Sequence, residues 1–279
     1  MRRPSLPLLV ALLVGLIHAV AVIGVQLRYG YDVGPAASPL HVTLWRYGGL
    51  VVLGAVQVWL ALRYRLVTPL ALVAVLAAVA FHAELTPPDP VFRDVAELEP
   101  SVEGPTGITV VENGLHLAKY AGPWYVWTVA AGLVGLWEAV VRRRRGWVPD
   151  SGVPSATLAT NPRLVAVVAG LAHALASVAY AWGWGMSGTP VGAGWALVGG
   201  VAVVGVPVSL LLTADVVWPT LVATLLFVNS VHAQQYAGPG DPHALYAGGW
   251  FVFLAVALLP GAFEYGLRRV GRRFGGQPV

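Results

Sequence analysis

Residues 6–27 read LPLLVALLVGLIHAVAVIGVQL, an unbroken apolar run with one histidine inside it. Its middle, Gly15-Leu16-Ile17-His18-Ala19, comes back in the second half of the chain as Gly170-Leu171-Ala172-His173-Ala174. A run of about 20 apolar residues is what a helix needs to cross a bilayer core of roughly 30 Å. The return of the same pentapeptide predicts that the membrane unit it belongs to is present twice.

The repetition extends outward. Trp45, Gly49, Pro69, His82 and Ala83 recur 150 positions later as Trp195, Gly199, Pro219, His232 and Ala233. Trp124, Glu138, Arg142 and Arg143 recur 126 positions later as Trp250, Glu264, Arg268 and Arg269. From Trp45 to Glu84 the match is gap-free, with 12 of 40 positions identical. Matching Val and Leu carries little weight in so apolar a chain, but matching Trp, Pro and His does.

Eight apolar segments follow, at about 6–27, 44–62, 66–85, 120–141, 164–184, 191–212, 216–235 and 246–266. Apolar residues make up 57% of the chain and charged residues 11%, against about 25% charged in a soluble domain. A backbone facing lipid must satisfy its own hydrogen bonds, and segments of this length without ten-residue alternation do so as helices. The expected fold is an all-α polytopic membrane protein of eight transmembrane helices, arranged as two tandem four-helix repeats. Four helices per repeat is an even number, so a pseudo-twofold axis along the membrane normal is expected. The expected units are 1–146, with a long external loop at 86–119; a cytoplasmic linker at 147–162; and 163–279, with a basic tail. The first segment is expected to be retained rather than cleaved, because Gln26, Leu27 and Arg28 close it and its counterpart lies in mid-chain.

Arginines set the orientation. Arg2, Arg3, Arg63, Arg65, Arg142 to Arg145, Arg163, Arg268, Arg269, Arg272 and Arg273 fall on one side. Arg28, Arg46, Arg93 and Lys119 fall on the other, with most of the acids. This bias predicts a multi-pass protein of the plasma membrane with both termini cytoplasmic. The basic residues flank apolar segments, so a lipid bilayer and no nucleic acid is the expected partner. The absence of cysteine excludes disulfides, thiolate nucleophiles and thiolate metal sites. The loop 86–119 is acidic and proline-rich, and within it Ile108-Thr109-Val110-Val111 is a candidate short strand.

The candidate chemistry lies with histidine. His18 is 15 residues beyond Arg3, His82 is 17 beyond Arg65, and His232 is 17 beyond Asp215. At 1.5 Å per residue these stand roughly 22–26 Å above the arginine-rich boundary. His173 is ten residues beyond Arg163; His41, His116 and His243 lie near outer helix ends. Ionisable residues inside a span commonly mark an interior site. Paired histidines on different helices suit axial ligation of haem iron, or binding of Cu or Zn. His18, His82, His173 and His232 are therefore candidate ligands of a b-type haem or a transition metal, in a redox protein trading electrons with quinone. The alternative for the same residues is structural: His18 and His173 donate to a carbonyl on a neighbouring helix, and His82 and His232 sit in the wet headgroup region. At the level of the whole protein the alternatives are a small-molecule transporter or permease with its path between the halves, and a non-catalytic scaffold or assembly subunit of a membrane complex. Neither a Gly-x-Ser-x-Gly nor a His-Glu-x-x-His segment occurs.

Glu138 and Glu264 each precede an arginine by four residues, the spacing of a helical ion pair. The outer-end aromatics Trp45, Trp195, Trp124 and Trp250 fit an interfacial belt, or a rim that guides a quinone or lipid. Eight helices in two halves, with paired histidines toward the outer face, are similar in plan to the haem A synthases. That family's Glu-x-x-His-Arg motif is missing, and the histidines fall on odd-numbered segments, so the resemblance transfers no residue role.

Overall fold

Each apolar segment closes its backbone hydrogen bonds as a helix. The computed structural model describes residues 5–34, 38–86, 91–94, 108–111, 115–145, 161–186, 188–236 and 241–274. The first half contains α1 (Leu6–Arg28), α2 (Leu40–Tyr64), α3 (Thr68–Leu85), the strands β1 (Val91–Asp94) and β2 (Ile108–Val111), α4 (His116–Ala121) and α5 (Trp124–Arg145). The second contains α6 (Pro162–Gly183), α7 (Pro190–Thr213), α8 (Trp218–Tyr236), α9 (Pro242–Gly248) and α10 (Trp250–Phe274). Seven of the eight long helices are long and apolar enough to cross a membrane. The remaining one, α8, carries Asn229, Ser230, His232, Gln234 and Gln235 in its last turns. The fold is that of a polytopic helical membrane protein. Large apolar side chains such as Leu13, Ile17, Leu259 and Phe263 are more than half exposed, an arrangement suited to lipid and not to water.

Helix starts follow local chemistry. Proline opens α1, α3, α6, α7 and α9, where its missing N–H costs nothing. Asn161 Oδ1 accepts from Leu164 N at 3.0 Å and Thr189 Oγ1 from Gly192 N at 3.1 Å, capping α6 and α7. The α2–α3 and α7–α8 turns are alike. Arg65 and Asp215 adopt φ of 57° and 65°, and the next amide returns to the preceding helix, Leu66 N to Leu60 O and Val216 N to Leu210 O. At the other end, Gly30 and Gly185 have φ of 76° and 75°.

Two expectations need revision. The segments at 120–141 and 246–266 are not continuous from their first residues, because short helices α4 and α9 precede α5 and α10. Gly122-Pro123 breaks the first, proline having no N–H to continue a helix. Gly249 stands at the second break, where a Cβ would lie 2.9 Å from Leu245 O. The loop at 86–119 holds an antiparallel pair among its described residues, Val91 opposite Val111 and Asp94 opposite Ile108. The linker expected at 147–162 lies, up to residue 160, outside the described residues.

The second revision concerns the axis. The halves meet through α5, which packs on α6, α7 and α8 as well as on α2 and α3. A twofold would place α10 against α1 and α3 in the same way. Instead α10 makes its main contacts with α7, α8 and α9. Half of the membrane-length window of α5 is buried, against 11% for α10. The contact between the halves is therefore one-sided and does not obey a pseudo-twofold.

Candidate functional site

The helix alternation gathers Arg63, Arg65, Arg142 to Arg145, Arg163, Arg268 and Arg269 at one end of the bundle. The histidines and most of the tyrosines belong to the opposite, arginine-poor end. His18 and His173 each stand ten residues before the last residue of their helix, α1 and α6. That equal height resolves the position of His173.

Their surroundings are equivalent. His18 Nδ1 lies 3.1 Å from Leu50 O and its Nε2 3.0 Å from Tyr120 Oη. His173 Nδ1 lies 2.7 Å from Gly200 O and its Nε2 2.9 Å from Tyr246 Oη. A carbonyl only accepts, so Nδ1 carries the proton in both rings and Nε2 accepts from the tyrosine hydroxyl. These are the inter-helix carbonyl bonds expected of a structural histidine. The tyrosines come from α4 and α9, so each clamp ties a short helix to a long pair. Close approach allows it: a Cβ on Gly15 would strike Val51 O, and one on Gly170 would lie 2.7 Å from Val201 O.

The other two candidates lie elsewhere. His82 is exposed, with Nδ1 3.4 Å from Thr86 Oγ1. His232 is exposed and packs on the Tyr236 ring, centroids 4.8 Å apart. Among the described residues no three His, Asp or Glu side chains converge as a metal set. As arranged, the four histidines do not fit a shared haem or metal site, because both ring nitrogens of His18 and His173 are committed within the protein.

Sequence reasoning missed His243, placed near an outer helix end but fully buried. Its Nε2 lies 3.1 Å from Ser177 O and 3.0 Å from Ser177 Oγ, and its Nδ1 lies 3.0 Å from Ser230 Oγ. Its amide donates to Gln234 Oε1 at 3.1 Å. Burial pushes the imidazole down to about 4, because the charged form has lost its water. The available signal was the density of polar residues at 229–235 without an obvious partner. In the first half the corresponding positions are Val22, Ala80 and Leu117, all buried.

Glu138 and Glu264 form the expected ion pairs with Arg142 and Arg268, each at 2.5 Å. They also cap the starts of two earlier helices, α3 and α8. Glu138 accepts from Val67 N and Thr68 N at 3.1 and 2.8 Å; Glu264 accepts from Val217 N and Trp218 N at 2.7 and 3.2 Å. Asp215 pairs with Arg144 across the halves.

At the arginine-poor end both halves contribute to a cavity of about 550 Å³. Trp45 and Arg46 of α2, Lys119 of α4 and Tyr125 of α5 face Tyr180 and Trp184 at the end of α6 and Gln235 of α8. Gln235 Nε2 donates to Lys119 O at 2.7 Å, and the Lys119 ammonium lies 4.2 Å from the Tyr236 ring centroid. Burial lowers the Lys119 pKa. Glu84, whose charge opposes that shift, accepts from Leu117 N at 2.8 Å and from Tyr31 Oη. Burial and the adjacent carboxylate push the Tyr31 phenol up to about 12. The cavity thus combines two cations, an aromatic rim and an apolar floor, and can hold a molecule with an anionic or polar head.

The chain matches no family model, no curated protein and no solved structure.

Proposed function

We propose that this is an integral membrane protein of two tandem four-helix units, α8 supplying the eighth span, that binds a small amphiphilic molecule between the units at the arginine-poor end. The duplication is supported by paired contacts: the two His–Tyr–carbonyl clamps, the two Glu caps, and Trp124 and Trp250 packed over Gly49 and Gly199. The arginine bias supports a plasma-membrane protein with both termini cytoplasmic.

The observation that carries the binding reading is the cavity itself, built from both units and lined by Arg46, Lys119 and four aromatic rings. Ligand sites favour concave, mostly apolar clefts with few placed polar groups. The same cavity serves the permease reading, and flux in liposomes separates transport from binding. The redox reading, with b-type haem or a metal on the four histidines and quinone as partner, requires Tyr120 and Tyr246 to release the Nε2 atoms; a Soret band in the purified protein decides it.

The test is binding of a fluorescent lipid to the protein in nanodiscs. Saturable binding is expected in the natural protein and loss of it in Gly183→Trp. Gly183 lines the cavity and a Cβ there meets open space, so the indole fills the site without disturbing the helix. Equal binding in both proteins overturns the reading.

A further inference from the structure

A second cavity, about 450 Å³, lies further along the same two helices. It is lined by Val129, Leu133 and Leu136 of α5 and by Leu164, Val168 and Ala172 of α6, with no charged side chain. Tyr125, in the first cavity, is one helical turn before Val129; Tyr180 is two turns beyond Ala172. From Tyr125 to Leu136, and from Tyr180 to Val168, the rise is about 16–18 Å at 1.5 Å per residue. The two cavities therefore share one seam, cationic and aromatic toward the arginine-poor end and wholly apolar deeper in the membrane.

We infer that this seam is a lengthwise binding site for an anionic phospholipid, with its phosphate on Arg46 and Lys119 and an acyl chain between α5 and α6. The inference rests on the binding reading above and names its ligand. An arginine fork engages two phosphate oxygens at once, and a lysine on a second element adds a point charge. Among the described residues neither cation has an ion-pair partner. The groove between α1 and α2, lined by Leu8, Leu12, Val52 and Trp59, is apolar throughout and offers no head compartment.

The test compares labelled phosphatidylglycerol and phosphatidylcholine on the protein in detergent micelles, with glycerol 3-phosphate as competitor. Phosphatidylglycerol is expected to bind at least tenfold tighter. Arg46→Ala with Lys119→Ala is expected to erase the preference, while Lys119→Arg retains it. Gly132→Phe, at a tail-groove position where a Cβ meets open space, is expected to weaken the diacyl lipid tenfold. Equal saturable binding of both lipids overturns the anionic inference and leaves the amphiphile reading standing. Competition by glycerol 3-phosphate, with Gly132→Phe silent, reduces the site to an ion site and overturns the lengthwise one. No saturable binding of either lipid overturns both readings.

Discussion

The halves share one clamp and differ in the layer beside it. His18–Tyr120 and His173–Tyr246 tie equivalent helices through equivalent atoms. One turn away, the first half packs Val22, Ala80 and Leu117, where the second packs Ser177, Ser230 and His243. Glu84 and Gln234 keep a common task, accepting from Leu117 N and His243 N. The backbone arrangement is thus held by contacts both halves retain, and an interior layer can be apolar or hydrogen-bonded within it. Apolar and fully satisfied polar interiors are near alternatives; a half-satisfied one is costly.

Three experiments bear on that comparison. The largest effect is expected for the shared caps. Glu138→Ala leaves Arg142 and two amides without their carboxylate and should cost about 3–5 kcal/mol of stability. Glu264→Ala should cost less, because Glu138 also accepts from the Thr68 hydroxyl, at 2.8 Å. Thermal unfolding in detergent measures both, and a reversed order breaks the equivalence of the caps. Next, His243→Leu should cost about 1–3 kcal/mol, mainly by leaving the buried Ser177 hydroxyl without its partner, since Ser230 Oγ keeps its bond to Phe227 O at 2.8 Å. Adding Ser177→Val and Ser230→Ala, which imports the first half's layer, should recover most of that loss. A triple variant as unstable as the single one shows that the two layers are not interchangeable.

The triple variant, set beside the natural protein, also reads out pH. The folded-state pKa of His243, about 4, lies below its ordinary 6.5. The unfolded chain therefore binds the proton first, and the stabilising contribution is complete above pH 6.5 and lost as pH falls toward 4. The triple variant should show a shallower acid loss than the natural protein. The smallest effects are expected for Tyr120→Phe and Tyr246→Phe, about 0.6 kcal/mol each, the typical worth of a hydrogen bond between membrane helices. A much larger loss for one than the other breaks the symmetry of the clamps.

Much of the architecture was legible in the sequence. The apolar runs place α1, α6 and α7 to within one or two residues, because helix length in a bilayer is set by the run itself. Ile108–Val111 forms a strand, and the Glu–Arg spacing names both ion pairs. What could not be read depends on distant partners. Glu138 caps residues some 70 positions away, and His243 is buried only because α9 tucks against α6 and α8. His18 and His173 were visible as a pair, but the tyrosines that occupy their Nε2 atoms lie on short helices hidden within longer apolar segments. Arg46 and Lys119 were readable as rare cations on their side; that they line one cavity follows from packing. The axis was not legible because a likeness between two stretches of sequence is silent on how the helices they form pack together.

On the tandem reading, the docking has the form of a plug and a socket. The plug is α5 with Arg144; the socket is α6 and α8 with Asp215. A contact of this kind does not close on itself. It leaves an empty socket on α1 and α3 and an idle plug in α10. The residues at the matching positions differ: Asp215 stands opposite Arg65, Arg144 opposite Val270, Lys119 opposite Leu245 and Gln235 opposite Leu85. Repeat arrays in water make their outermost faces polar so that growth ends. On the tandem reading, the same end is reached in lipid from the opposite direction: the outer faces lack complementary polar groups for a further copy to grip.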